Sequence, residues 1–238
     1  QCPLLTTAPA IPEGVTNMED CFYQCVYLTT APVIPSTVTN MRGCFERCSA
    51  LTTAPVIPEG VTDMTLCFSQ CPLLATAPAI PSSVDSMDRC FEECTSLTAA
   101  PVIPEGVTNM TNCFNECTSL TTAPVIPSTV TTINRCFEGC INLTGNVVIR
   151  ANITDSDNYR GMFDVHDDDS GTYRFPGDSN PINIYVPSPE ARNALIRALK
   201  TPVDALCANT NFVYTEGSDP NPDGSIGTGS IKIYVGEP

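Results

Sequence analysis

Cysteine is the residue type best supplied for chemistry in this sequence, with fourteen among 238 residues. Thirteen fall into two series. Cys2, Cys25, Cys48, Cys71, Cys94, Cys117 and Cys140 recur every 23 residues, and so do Cys21, Cys44, Cys67, Cys90, Cys113 and Cys136. Together they make C-x-x-x-C pairs such as Cys21/Cys25, Cys44/Cys48 and Cys67/Cys71. Three chemistries are open to them. Zinc is disfavoured, because zinc sites use C-x-x-C knuckles completed by a second pair or by histidines. The one histidine, His166, lies outside the series. Disulfides fit better, since equivalent cysteines on stacked turns sit roughly 5 Å apart, inside the bridging range. The reading we favour is the third: reduced thiols on an apolar face beside Phe and Leu, acting as small buried hydrophobes.

The other candidates are acidic. Asp219, Asn221 and Asp223, followed by Gly224, match the opening D-x-N-x-D-G of an EF-hand loop. Two prolines interrupt that stretch, and its twelfth position is Ser230 instead of Glu. Asp155, Asp157, Asp164, Asp167, Asp168 and Asp169 form a second cluster around His166. Both stretches read first as solvated loops, with calcium as the weaker alternative, and His166 reads as an exposed loop residue and not a base. There is no Gly-rich phosphate loop, no G-x-S-x-G and no carboxylate pair at a strand end. The expectation is therefore a non-enzyme with no catalytic residue and no cofactor.

Charge narrows the partners. Eleven Lys and Arg stand against 26 Asp and Glu, a net charge of −15. That excludes a nucleic-acid partner, which needs clustered cations, and electrostatic adhesion to an anionic membrane surface. No apolar run reaches the ~20 residues of a spanning helix, so no membrane insertion is expected. Trp is absent and aromatics are 7%, so the core is expected to be aliphatic, Met and Cys rather than ring-rich. The sequence opens inside a repeat, at Gln1-Cys2, which points to an upstream segment that was removed or left out.

The elements that must position the cysteines follow from the repeat. Its unit is C-x-x-L-x-x-A-P-x-I-P-x-x-V-x-x-[MI]-x-x-C-F-x-x. The Leu position (Leu28, Leu51, Leu74, Leu97), the Ile position (Ile34, Ile57, Ile80, Ile103) and the Phe position (Phe45, Phe68, Phe91, Phe114) never vary over six copies. Neither does the Val position, from Val15 to Val130. Apolar positions fixed at one period must stack, coil on coil, as ladders of a shared core together with Cys44, Cys48, Cys67 and Cys71.

Each unit has two halves. L-T-T-A-P-V-I-P is extended, because each proline fixes φ and biases its predecessor toward β or polyproline geometry. It predicts a very short parallel strand with Thr and Pro edges facing solvent. The second half, Val15 to Cys25 in the first copy, places Val15, Met18, Cys21, Phe22 and Cys25 at helical spacing. It predicts a short helix, with Thr16 as N-cap and Glu19 completing a capping box. Between the halves, the turn alternates: Glu13-Gly14, Glu59-Gly60 and Glu105-Gly106 in odd copies, Ser-Thr or Ser-Ser in even ones.

After Cys140 the period fails. Leu143, Ile149 and Ile153 continue the ladders, and loss of the prolines predicts a longer strand from Asn146 to Ile153. Further strands are expected at Ile182–Val186, Phe212–Tyr214 and Ile231–Val235. A helix starts at Ser188-Pro189-Glu190 with Ala191, Ala194, Leu195, Ala198 and Leu199 as its buried stripe, ended or kinked by Pro202. A solenoid needs such an end, because its last coil otherwise exposes an apolar face and a strand edge.

These residues carry a resemblance. V-T-N-M-x-x-C-F-x-x-C-x-x-L resembles the V-T-x-M-x-x-M-F-x-x-C-x-x-L form of the BspA-like leucine-rich repeats of gut and oral bacteria, with Cys in place of the second Met. Tyr159 to Phe163 looks like a degenerate copy that keeps that Met, and the Ile184-Tyr185-Val186-Pro187 run is similar to a capping segment found after such arrays. The resemblance implies a right-handed α/β solenoid with a short parallel strand and a short helix per turn, closed by an α+β cap. The division expected is 1–163 for the array, with six full turns over 2–139 and a degenerate seventh over 140–163, and 164–238 for the capping region. It implies a bacterial surface-displayed or secreted protein, extracellular, that binds a protein or glycan ligand on a host or neighbouring cell. The Thr-Thr-Ala-Pro face is nearly uniform from coil to coil, whereas the opposite face varies. The alternative is a structural spacer within a larger cell-surface or phage-tail protein. Ligand identity, binding face and oligomeric state are left open by the sequence.

Overall fold

The computed structural model describes residues 2–163, 182–200 and 231–238. Over the first span the chain winds in successive coils, and the hydrogen bonds joining each coil to the next carry the 23-residue period. Two lines of parallel contact run along the array. One passes through Asn17, Asn40, Asp63, Ser86, Asn109 and Thr132, the other through Thr30/Thr53 and Ala99/Thr122. Each is a single-residue bridge. The first line lies in the V-T-N-M half; the strand expected in the L-T-T-A-P-V-I-P half is cut down to the bridges of the second, because the prolines of A-P-x-I-P leave too few N–H donors for a ladder.

The expected helix per coil does not form. From Met18 to Cys25 the N–H groups alternate in direction. Cys21, Tyr23 and Cys25 donate three residues back within their own coil, to Met18, Asp20 and Phe22 at 3.0–3.2 Å. Met18, Asp20, Phe22 and Gln24 instead donate to Asn40, Arg42, Cys44 and Glu46 of the next coil at 2.8–2.9 Å. A helix sends every N–H to its own fourth-preceding carbonyl, so this alternation excludes one. It also requires left-handed backbone, with φ of +53° at Asp20 and +58° at Gln24 and the same sign at the equivalent positions of later coils. A helix this short is marginal in water, whereas bonds between coils satisfy the same groups cooperatively along the array.

The capping box is replaced as well. The side chain of Asn17, not Thr16, accepts from the Glu19 N–H at 2.9 Å, and Asn40, Asp63 and Asn109 repeat this two-residue turn. Thr16 lends its carbonyl to the Thr39 hydroxyl at 3.2 Å, one rung of a threonine ladder that continues at Thr62, Thr108 and Thr131.

The core is one continuous column. Leu28, Leu51, Leu74, Leu97 and Leu120 are wholly buried, as are Phe45, Phe68, Phe91, Phe114 and Phe137. Successive Phe rings from Phe22 to Phe137 stack with centroids 5.3–5.8 Å apart and planes within 7°. The column then takes up Phe163, 5.9 Å from Phe137. Three extra residues are accommodated there, since Phe137 N–H reaches the Met162 carbonyl at 3.0 Å.

Beyond the coils the bridges widen into a parallel three-stranded sheet. It comprises β1 (Gly145–Val148), β2 (Ile182–Val186) and β3 (Ile231–Val235), in that order. β1 ends at Val148, short of the strand expected over Asn146 to Ile153, although pairing continues one residue further: the Ile149 N–H reaches the Tyr185 carbonyl of β2 at 2.8 Å, and Ile149 bridges Ile126 on its other side. α1 (Pro189–Lys200) is capped by Ser188, whose Oγ accepts the Ala191 N–H at 3.1 Å. Ala191, Ala194, Leu195 and Ala198 are buried, and α1 packs on the single-turn 3-10 helix Ser156–Tyr159. The strand expected at Phe212–Tyr214 lies outside the described residues, as does Pro202.

Candidate functional site

The sequence's chemical candidates separate into three groups. The ladder residues are inside. Cys44, Cys48, Cys67 and Cys71 are buried and unbridged, as is every other cysteine of the coils except Cys2 and Cys21, which are exposed. From Cys48 onward, each thiol of that series donates to a main-chain carbonyl of the preceding coil: Cys48 to Phe22, Cys71 to Phe45 and Cys94 to Phe68 at 3.1 Å, Cys117 to Phe91 and Cys140 to Phe114 at 3.0 Å. Burial pushes the Cys48 thiol up to about 12 and holds Cys44, Cys67 and Cys71 well above the usual thiol range. A thiol that stays protonated is neither nucleophile nor metal ligand. Ile34, Ile57 and Ile103 are likewise buried, while Ile80 is half-buried.

The second group, His166 with Asp164 and Asp167 to Asp169, and Asp219, Asn221 and Asp223, lies outside the described residues. Asp155 is placed: its carboxylate accepts from the Asp157 N–H at 3.0 Å and caps the 3-10 helix. Among the described residues, no three His, Cys, Asp or Glu side chains converge on a point that could hold a metal ion.

The third group is the surface, whose two long faces differ. On the face bearing the left-handed residues, polar side chains pair with one another along the axis. Arg47 Nε donates to Gln70 Oε1 at 2.7 Å, and Gln70 Nε2 donates to Glu93 Oε1 at 2.8 Å. Arg47 also donates to the Tyr23 hydroxyl at 3.2 Å, and its guanidinium lies 5.9 Å from that ring's centre. Ser69 donates to Glu92 at 3.1 Å, while Arg89 and Arg135 stand 3.9 Å and 3.6 Å from Glu92 and Glu138. This face is chemically occupied by its own partners.

The A-P-x-I-P face is the opposite case. Val33, Val56 and Val102 stand 88%, 87% and 87% exposed, in register one above another, with Val125 at the end of the row. Beside them, two grooves open between neighbouring coils. One, of about 310 Å³, is lined by Val56, Ile57, Glu59, Ala77, Pro78 and Ile80, among others. The other, of about 300 Å³, is lined by Pro101, Val102, Glu105, Pro124, Val125 and Arg150, among others. The half-burial of Ile80 follows from its place in the first groove. Apolar side chains held in water in a row are costly unless something covers them.

Sequence reasoning missed this row because its position varies, and only invariant positions were read as meaningful. The signal was there. The residue between Pro and Ile is Ala10, Val33, Val56, Ala79, Val102 and Val125, always small and apolar although it never enters the core.

Comparison with known proteins identifies the repeat. A family model described as a BspA type leucine rich repeat region matches residues 15–144 in six copies, more than half of the chain. Among solved structures, the chain is similar to a leucine rich repeat protein of T. pallidum, with 26% identity and a TM-score of 0.49. That likeness covers 59% of this chain and 70% of the other. It is also similar to a leucine-rich repeat protein from Bacteroides ovatus, with 23% identity and a TM-score of 0.49, over 76% of this chain and 51% of that one. No curated protein matches.

Proposed function

The chain belongs to the BspA-type leucine-rich repeat family, and on that premise we propose that it is a non-enzymatic binding module whose A-P-x-I-P face engages a protein partner outside the cell. Repeats of this family generally mediate protein binding, as solenoids do by presenting one extended surface. The observation that carries the reading is the exposed row Val33, Val56 and Val102, beside which the grooves open. A spacer gains nothing from such a row and risks aggregation by it. A partner that buries the row recovers about 25 cal/mol per Å² of apolar surface removed from water. Protein is favoured over glycan because neither groove contains an aromatic ring for a sugar to stack on. The location we propose is the cell surface or the medium, in keeping with the family.

We assign residues 1–163 to the binding array, wound as a right-handed coil of 23-residue turns, and 164–238 to its cap. Support for that division comes from Phe163 at the end of the ring stack, after which the chain adds β2 and β3 to the edge that β1 of the last coil presents. The test uses the full chain and a V33D/V56D/V102D variant, offered to a panel of purified extracellular-matrix proteins and oligosaccharides on a biosensor. Wild type is expected to bind one or more of the proteins, and the variant to lose at least tenfold in affinity while R47A keeps it. Binding that survives the valine substitutions and falls with R47A would move the site to the polar face.

A further inference from the structure

The two grooves fall at equivalent places, each within a pair of coils marked by the alternation of the turn sequence. In even coils the turn carries a hydroxyl that reaches back to the coil before it. Thr37 donates to the Val15 carbonyl at 2.7 Å, Ser83 to that of Val61 at 2.6 Å, and Thr129 to that of Val107 at 2.7 Å. Odd coils have Gly60 and Gly106 at that place and no such bond. On top of the bonds that join every coil to the next, this one recurs at alternate junctions, so the chemical repeat of the turn is 46 residues long. Each groove lies within a pair, third with fourth and fifth with sixth, and each has the Glu of its odd coil at the rim.

The rim sets the charge of what can enter. Glu59 is exposed and has no hydrogen-bond or ion-pair partner among the described residues, and no Lys or Arg lines its groove. Glu105 accepts from the Ser128 N–H at 3.2 Å and its hydroxyl at 3.0 Å, neutral donors that leave its charge in place. Arg150, beside the second groove, is engaged by Glu237 at 3.0 Å. A second copy of this chain is a poor occupant, because each carries −15 and would set Glu against Glu. The complementary occupant is a cation on an aliphatic stem, with the stem on Pro, Val and Ala and the head at the carboxylate. Lysine and arginine side chains have that form.

Spacing adds a second constraint. The grooves are two coils apart, and successive Phe rings there are separated by 5.6–5.7 Å. A chain in polyproline II geometry rises about 3.1 Å per residue and about 9 Å per three-residue turn, so one turn falls about 2 Å short of two coils, a gap within reach of a flexible Lys or Arg stem, and presents every third side chain on one side.

We propose that the paired-coil grooves bind an extended, cationic stretch of polypeptide laid along the array, with a Lys or Arg at every third residue seated at Glu59 and Glu105 in turn. This rests on the reading of the A-P-x-I-P face as the partner surface and adds the chemistry of the partner.

The experiment measures fluorescence anisotropy of labelled (Lys-Ala-Pro)5 against the full chain at low ionic strength. Two comparison peptides accompany it: (Glu-Ala-Pro)5 and an isomer of the first with its five lysines clustered. Binding of the periodic lysine peptide is expected at least fivefold tighter than that of the clustered isomer. It is expected to weaken at least tenfold in E59Q/E105Q, whose changes lie at the groove rim, with an unchanged circular dichroism spectrum showing that the fold is kept. Equal binding of the periodic and clustered peptides overturns the proposal, and so does indifference to E59Q/E105Q. If the peptide fails while V33D/V56D/V102D still abolishes capture of a matrix protein, the cationic ligand is wrong and the binding face stands. If neither responds, both fall.

Discussion

Cys71 donates its thiol hydrogen to the main-chain carbonyl of Phe45, Sγ to O 3.1 Å, from one coil to the one before. The same carbonyl also accepts the Cys48 N–H at 3.1 Å, so the thiol uses its second lone pair. Cysteine at this position thus fills core volume and ties coils together. Cys71→Ala removes a buried sulfur and that bond, and is expected to cost about 1–3 kcal/mol as a cavity plus a lost hydrogen bond. Cys21→Ala, at an exposed position of the first coil, should stay within about 0.5 kcal/mol of wild type. Urea unfolding of the two variants side by side checks the contrast, and equal losses would remove the structural role assigned to the Cys48 series.

Ten of the buried thiols, Cys44 through Cys140, are pushed above their ordinary range, desolvation being the first cause for each. In the unfolded chain the same thiols ionise near pH ~8.5. Above that pH the unfolded state holds fewer protons than the folded one, so stability falls as pH rises; below it, the contribution is complete. Each fully ionised thiol adds a slope of about 1.4 kcal/mol per pH unit, so ten together reach on the order of 10 kcal/mol per unit. The expected outcome is abrupt alkaline unfolding between about pH 9 and 10 under reducing conditions, followed by far-ultraviolet circular dichroism. A chain that keeps its signal to pH 11 would contradict this.

Gly60 and Gly106 sit in the same local sequence, Pro-Glu-Gly-Val-Thr, yet the array treats them differently. A Cβ on Gly106 would stand 2.7 Å from the Ser82 carbonyl oxygen and 3.0 Å from that of Val84, both main-chain atoms that cannot swing away. On Gly60 the nearest atom is the Val38 carbonyl oxygen at 3.5 Å, an ordinary contact. Gly106→Ala is expected to cost about 1–3 kcal/mol through crowding. Gly60→Ala should be neutral or gain a few tenths of a kcal/mol by stiffening the unfolded chain. Thermal melts of both variants test a distinction that sequence alone cannot draw.

What was legible in the sequence was direction. Met18, Cys21, Phe22 and Cys25 recur at helical spacing because they point inward, and the structure buries three of the four. That spacing does not record which carbonyl each N–H seeks, and an alternating pattern of three-residue turns and bonds between coils shows the same apolar stripe as a helix. Gly43 and Gly139, at φ of +58° and +72°, occupy two of the left-handed positions and were the one visible hint. The ladders were readable because identical side chains must stack. The exposed valines were not, because a residue in water leaves no periodic demand on its neighbours, and their meaning came only from the grooves beside them.

Leu66 occupies one of those left-handed positions, at φ of +60°, where the equivalent residues are Asp20, Gly43, Arg89, Asn112 and Arg135. Leucine has the least reason to be there: it carries the steric penalty of the left-handed region, about 1–2 kcal/mol, with no polar group to hydrogen-bond locally. Asn tolerates this backbone, and Asn112 shows it two coils along, at φ of +52°. Leu66→Asn gives up some apolar contact, since Leu66 is half-buried, so the net gain is expected to be about 0.5 kcal/mol. Asn112→Leu, the reverse change at the matching site, is expected to lose about 1 kcal/mol or more. Opposite signs from the pair in urea unfolding identify backbone strain as the cause. A loss in both would show that side-chain packing, and not φ, governs these positions.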